Sequence, residues 1–162
     1  MLIELLSSEK FIAFGDVIEL RDKPVLINKG FTQKYADLAK IDTTAEGGQV
    51  SVNIFRTNPQ SLPFKIQLLE RHPLSSQAFY PLSDQPYLVV VAPAGELDES
   101  KIRIFLARNQ GVNYHAGTWH HFSLALNTVS DFLVIDRKGS GPNCDEVFLQ
   151  QPIEIQATEL PG

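Results

Sequence analysis

Between Tyr87 and Asp136 the chain reads YLVVVAPAGELDESKIRIFLARNQGVNYHAGTWHHFSLALNTVSDFLVID. Strand-length apolar segments recur in it at Tyr87 to Ala92, Lys101 to Ala107, Trp119 to Leu126 and Phe132 to Asp136. β-branched and aromatic residues suit a pleated, half-buried surface. The spacers carry Pro93, Gly95, Ser100, Asn109, Gly117 and Asn127, residues that favour turns for distinct backbone reasons. Many short strands with turn-rich links predict a β-barrel or sandwich, and no βαβ series interrupts them.

The same pattern extends toward the N-terminus. Gln77 to Pro81 and Phe64 to Glu70 read as strands. Gln49 to Arg56 reads as another, with Val50, Val52 and Ile54 on one face and Ser51, Asn53 and Phe55 on the other. Phe31, Tyr35 and Leu38 have helical spacing, so a helix is predicted over Phe31 to Ala39, ahead of Gly47 and Gly48. Asp16 to Leu20 is a further strand, preceded by a short turn from Glu9 to Phe14 that Ser8 would cap. The tail from Pro152 to Gly162 supplies one more strand.

At 162 residues the chain suits one domain, residues 1–162, with room for a sizeable core. It carries 14 Lys and Arg against 19 Asp and Glu, a formal charge of −5. That balance argues against broad electrostatic capture of nucleic acid. A single cysteine, Cys144, excludes an intrachain disulfide and a Cys-rich metal site. The opening MLIELLSSEKF has no basic stretch before an apolar run, and Tyr87 to Ala92 is too short to span a bilayer. The expectation is a cytoplasmic protein with no membrane association.

Histidine chemistry must come from His72, His115, His120 and His121. Two stretches hold them: Glu70 to Leu82 and Gly111 to His121. Each places polar, liganding side chains immediately before a strand, where a small barrel can bring them together. Imidazole and carboxylate suit nickel, iron, manganese or zinc, and a side-chain amide adds a weak oxygen donor.

The layout resembles the paired metal-binding motifs of cupins. Glu70-x-His72-x-x-x-x-Gln77 occupies the frame of the first, where cupins commonly carry histidines and a glutamate. His115-x-Gly117-x-x-His120 occupies the second, with His115 where proline is usual. A narrower resemblance covers nearly the whole chain. Phe14-Gly15-Asp16-Val17-Ile18, Glu70-Arg71-His72-Pro73-Leu74, Gln77-Ala78-Phe79, Gly111-Val112-Asn113-Tyr114-His115, Trp119-His120-His121, Asp131-Phe132-Leu133 and Ile135-Asp136-Arg137 are similar to the bacterial ureidoglycolate lyases. That resemblance implies an all-β-dominated, single cupin-like β-barrel with short peripheral helices, assembled as a homodimer. It implies cleavage of ureidoglycolate to glyoxylate and urea in allantoin and purine breakdown. The associated cofactor is a divalent metal, with nickel among the candidates. The alternatives are another cupin-like lyase or isomerase of a small α-hydroxy acid, or a non-catalytic small-ligand-binding barrel.

On this reading Glu70, His72 and His120 are the catalytic candidates, and Glu70, His72, Gln77 and His120 the metal ligands. Glu70 has a rival role in a surface ion pair with Arg71, or in orienting a histidine. Arg56, Asn53 and Tyr114 are the substrate-binding candidates, Arg56 because a guanidinium clamps a carboxylate through two parallel hydrogen bonds. Tyr114 serves equally as an aromatic plug. His115 reads as a turn residue. Strand alternation turns His121 away from the pocket if His120 faces it. Lys101 and Arg103 share a face that is either solvated or near the anionic substrate. Asp136 orients Arg137 or a cavity group, or joins an internal ion pair. Cys144 lies in a Gly/Pro/Asn-rich turn with no base beside it.

Overall fold

The computed structural model describes residues 1–162. Its strands are β1 (Ile3–Leu5), β2 (Gly15–Ile18), β3 (Val25–Ile27), β4 (Thr32–Lys34), β5 (Gln49–Thr57), β6 (Phe64–Arg71), β7 (Gln77–Pro81), β8 (Tyr87–Ala92), β9 (Arg103–Ala107), β10 (Gly111–Tyr114), β11 (Trp119–His120), β12 (Leu124–Ala125), β13 (Ser130–Lys138) and β14 (Asp145–Ile155). The α-helix is the four-residue α1 (Ser8–Phe11), and the remaining helical turns are 3-10. No helix is long and apolar enough to cross a membrane.

The strands form a seven-stranded sheet, ordered β1-β9-β8-β11-β6-β14 with β12 also on β8, and a five-stranded sheet, ordered β2-β10-β7-β13-β5. The fold is all-β and cupin-like, as expected. Its core has two parts. Tyr87, Val89 and Val91 of β8 join Phe105, Val112, Phe79 and Phe132 between the two sheets. Leu88, Val90 and Ala92 point the other way, into a second cluster with Ile104, Ile66, Leu69 and Trp119. A strand buried on both faces must be apolar at every position, which is why Tyr87 to Ala92 lacks alternation.

Several boundaries move. Ser7, one residue earlier than expected, caps α1: its Oγ accepts from Lys10 N at 3.3 Å. The helix expected over Phe31 to Ala39 is absent. Asn28, Lys29 and Gly30 have φ of 53°, 59° and 83°, a left-handed turn that folds β3 back onto β4. Asp37, at φ 56°, blocks helical continuation, and Phe31 is 91% exposed. Lys101 belongs to the 3-10 turn Glu99–Lys101, so β9 starts at Arg103. Trp119 to Leu126 splits into β11 and β12. The last strand starts at Asp145 and not near Pro152; a register shift between Phe148 and Ile153 breaks its pairing with β6.

The topology gives both histidine motifs the same structural role. In the first, the chain leaves β6 of the larger sheet at Arg71 and enters β7 of the smaller sheet at Gln77. In the second it leaves β10 of the smaller sheet at Tyr114 and enters β11 of the larger at Trp119. Each motif is a corner between the sheets, and Gly117 N donates to His72 O at 2.9 Å to join the corners. Gly117 has φ 82°, a conformation that glycine adopts without strain.

Candidate active site

Adjacent corners bring four polar side chains together. On the larger sheet His120 of β11 pairs directly with Glu70 of β6, so both side chains emerge on one face. His72 follows from the corner after β6. Gln77 starts β7 on the opposing sheet. The imidazoles of His72 and His120 lie 5.1 Å apart by ring centroids. Ligand atoms of Glu70, His72 and His120 all fall within 4.8 Å of one another. Gln77 Oε1 sits 3.0 Å from His72 Nε2 and 3.1 Å from His120 Nε2. Glu70 Oε1 lies 3.9 Å from His72 Nε2 and 3.7 Å from His120 Nε2.

The hydrogen bonds at the far side of each ring set its tautomer. His72 Nδ1 is 2.7 Å from the Asn143 carbonyl, and His120 Nδ1 is 2.9 Å from the Thr118 carbonyl. A carbonyl only accepts, so both Nδ1 atoms carry the proton and donate. In the neutral rings both Nε2 atoms are then lone pairs. They face Gln77 Oε1, itself an acceptor, and the Glu70 carboxylate. Four electron-rich atoms with no proton between them are mutually repulsive, and a cation relieves that repulsion. The donor set therefore fits a divalent metal, with imidazole, carboxylate and carboxamide ligands.

Burial tunes these groups. His120 is 1% exposed, and desolvation, with the nearby His72, holds its pKa down to about 3, so it stays neutral. Burial raises the Glu70 carboxyl above its ordinary range, with His72 pulling it down and Glu146 adding to the rise. Tyr114 stacks on His120 at 4.1 Å and 7°. Its phenol is pushed upward by burial and by Glu70, so it remains protonated.

The remaining sequence candidates divide. Asn53 lies on the inward face of β5, its Nδ2 donating to Asp136 Oδ1 at 3.0 Å. Arg56 does not join the cluster. It lies on the opposite face of β5, where its Nε and one terminal nitrogen donate to Asp131 at 2.9 and 3.0 Å, and its side chain is 74% exposed. The register Asp131↔Arg56 sets that pairing, so the carboxylate clamp expected of Arg56 is replaced by an internal partner. His121 turns away from the cluster, as alternation requires, but it is buried and not solvated: it is 4% exposed and meets Phe64 edge-on at 5.8 Å. His115 serves the turn, its Nε2 3.1 Å from Asp16 Oδ2. Arg103 bridges to Glu4 at 2.6 Å, and Lys101 pairs with Asp98. Cys144 is exposed and its thiol is raised, mainly by desolvation, which disfavours the thiolate. Asn143 was not singled out in the sequence. It clamps the first corner by accepting from His72 and from Leu74 N and donating to Ser75 Oγ.

Paired inter-sheet corners that converge imidazole, carboxylate and carboxamide between the sheets of an all-β fold define a cupin-like protein. The family described as ureidoglycolate lyase matches residues 1–156. A ureidoglycolate lyase of Burkholderia mallei (strain NCTC 10229) is 55% identical over 153 residues, 93% of this chain and 90% of that protein. Those of Burkholderia cepacia and Pseudomonas paraeruginosa are 50% and 47% identical, covering 91% and 94% of this chain and 85% and 92% of theirs. The chain belongs to the ureidoglycolate lyase family.

Proposed function

We propose that this chain cleaves ureidoglycolate to glyoxylate and urea, using a divalent cation held by Glu70, His72, Gln77 and His120. The observation that carries the reading is a family match over residues 1–156 that coincides with a half-buried donor set fit for a cation. The substrate is a hemiaminal, with a hydroxyl and the ureido nitrogen on one carbon. Breaking the carbon–nitrogen bond requires loss of the hydroxyl proton and protonation of the departing nitrogen. The oxygen's electrons become the aldehyde C=O of glyoxylate, the C–N pair leaves with urea, and no water is consumed.

A bound cation supplies Lewis acidity that lowers the pKa of the hydroxyl. Glu70 faces both imidazoles. It is the candidate to accept the hydroxyl proton only where its carboxylate is not itself a ligand and His72, Gln77 and His120 hold the cation without it. Tyr114 fixes the His120 ring by stacking, and the Asn143 and Thr118 carbonyls fix both ring orientations. Nickel is the first metal to test among those that suit this donor set. The same reading places the enzyme in the cytoplasm, in the allantoin branch of purine breakdown.

The product assay is direct. Metal-reconstituted protein given ureidoglycolate should release urea and glyoxylate in equal amounts. Glyoxylate accompanied by ammonia instead of urea would mean hydrolysis and would overturn the lyase reading.

A homodimer is proposed on a different feature. Val50, Val52 and Ile54 on the outward face of the edge strand β5 are 54%, 66% and 56% exposed. Contiguous apolar side chains on an edge strand invite pairing with another copy. Sedimentation at micromolar concentration should give twice the 18.1 kDa chain mass, and Val52→Asp should shift it toward monomer. A single 18.1 kDa species at every concentration would reject the dimer.

A further inference from the structure

Gln77 is the one member of the donor set whose usefulness depends on which way it is turned. A carboxamide presents oxygen from one side and N–H from the other, with nearly the same shape. Turned one way, Gln77 offers a lone pair to a cation; turned the other, it offers N–H to the Nε2 lone pairs of His72 and His120 and occupies the place of the cation. Nothing about the two imidazoles selects the first arrangement. With both Nδ1 protons committed to carbonyls, the histidines would accept from an N–H readily.

The selection comes from the neighbouring strand. The register that pairs Ile135 of β13 with Ala78 of β7 puts Asp136 beside Gln77. Gln77 Nε2 donates to Asp136 Oδ2 at 3.2 Å, which leaves Oε1 facing the histidines. Asp136 is itself held: its Oδ1 accepts from Asn53 Nδ2 at 3.0 Å. Because both carboxylate oxygens only accept, neither can stabilise the reversed amide.

Resting on the cation reading above, we propose that Asp136 is a positioning residue that orients the Gln77 carboxamide so that its oxygen faces the cation. Asn53 supports it from β5. Neither residue needs to touch substrate.

The test is calorimetric titration of Mn2+ and Ni2+, separately, into wild type, Asp136→Asn, Gln77→Glu and the double variant, with ureidoglycolate turnover measured alongside. Asparagine offers a donor as well as an acceptor, so it no longer dictates the amide orientation. Cation affinity should fall by about 10- to 100-fold, the range for groups that orient a metal ligand. Gln77→Glu alone should also bind more weakly than wild type, although carboxylate is the better ligand, because it places two carboxylates against each other. The double variant should recover to within about threefold of wild type. Its glutamate has two equivalent oxygens and no wrong orientation, and the asparagine at 136 can donate to one of them. A merely structural role for Asp136 predicts no such rescue.

Unchanged affinity in a folded Asp136→Asn, or a double variant no better than Asp136→Asn, overturns the proposal while leaving the cation site intact. If circular dichroism shows Asp136→Asn unfolded, Gln77→Glu decides: tighter binding than wild type overturns the proposal, weaker binding supports it. Wild type that binds neither cation more tightly than His120→Ala overturns both this inference and the cation reading.

Discussion

His120→Ala should leave a folded barrel that cleaves ureidoglycolate about 100-fold more slowly in kcat/KM, a loss of about 2.7 kcal/mol of transition-state stabilisation. The side chain is 1% exposed and belongs to the cluster of Glu70, His72 and Gln77. Alanine deletes one imidazole donor and the ring against which Tyr114 stacks. Cation content should fall with activity. His121→Ala is the control, because it lies one residue away and is also buried. Its ring packs against Phe64 on the other side of the larger sheet, and its Nδ1 is 3.0 Å from the Phe122 carbonyl. It should cost stability but reduce kcat/KM much less in the protein that stays folded. Both mutants require kcat/KM, metal content and far-UV circular dichroism. A folded His120→Ala with near-wild-type turnover would remove that residue from the site. Loss of activity in a folded His121→Ala alone would assign the chemistry to the wrong face.

Local sequence carried the strands and part of the site. Alternation in β5 separated Val50, Val52 and Ile54 from Ser51, Asn53 and Phe55, and the structure keeps that division. Ordinary expectation would bury the aliphatic face, yet here Asn53 is turned inward, toward Asp136. The spacing of Phe31, Tyr35 and Leu38 mimicked a helix, and the competing left-handed turn at Asn28-Lys29-Gly30 decided the segment. The convergence of His72, Gln77, Glu70 and His120 was legible because each motif is local and ends at a sheet corner. Which groups Asp136 and Arg56 meet was not, because their partners lie far along the chain. Asp136 reaches Gln77 across 59 positions, and Arg56 is occupied by Asp131, 75 positions away. Both contacts follow from how β13 pairs with β7 and β5, a non-local register that composition and spacing do not carry. The tautomers of His72 and His120 depend likewise on the Asn143 and Thr118 carbonyls, which are backbone groups that any residue could supply.

The largest loss of stability is expected from Phe11→Ala, at about 3–5 kcal/mol. Phe11 is fully buried, and α1 delivers it to the cluster between the two sheets. Its ring lies 5.6 Å from Phe14, 5.9 Å from Phe105 and 6.3 Å from Tyr114. Truncation therefore opens a cavity directly behind the tyrosine that stacks on His120. Interior packing is dense, so the surrounding rings can fill that space only in part. In a domain of this size each kcal/mol shifts Tm by about 2–4 °C, so Tm should fall by roughly 6–20 °C. Ile12, the next residue, provides the comparison. It is 78% exposed, and Ile12→Ala should change stability by no more than about 0.5 kcal/mol. Thermal unfolding of both variants, followed by circular dichroism, distinguishes them. Equal Tm shifts would mean that α1 does not insert Phe11 into the core. A large shift for Phe11→Ala alone would tie this four-residue helix to the packing behind the candidate site.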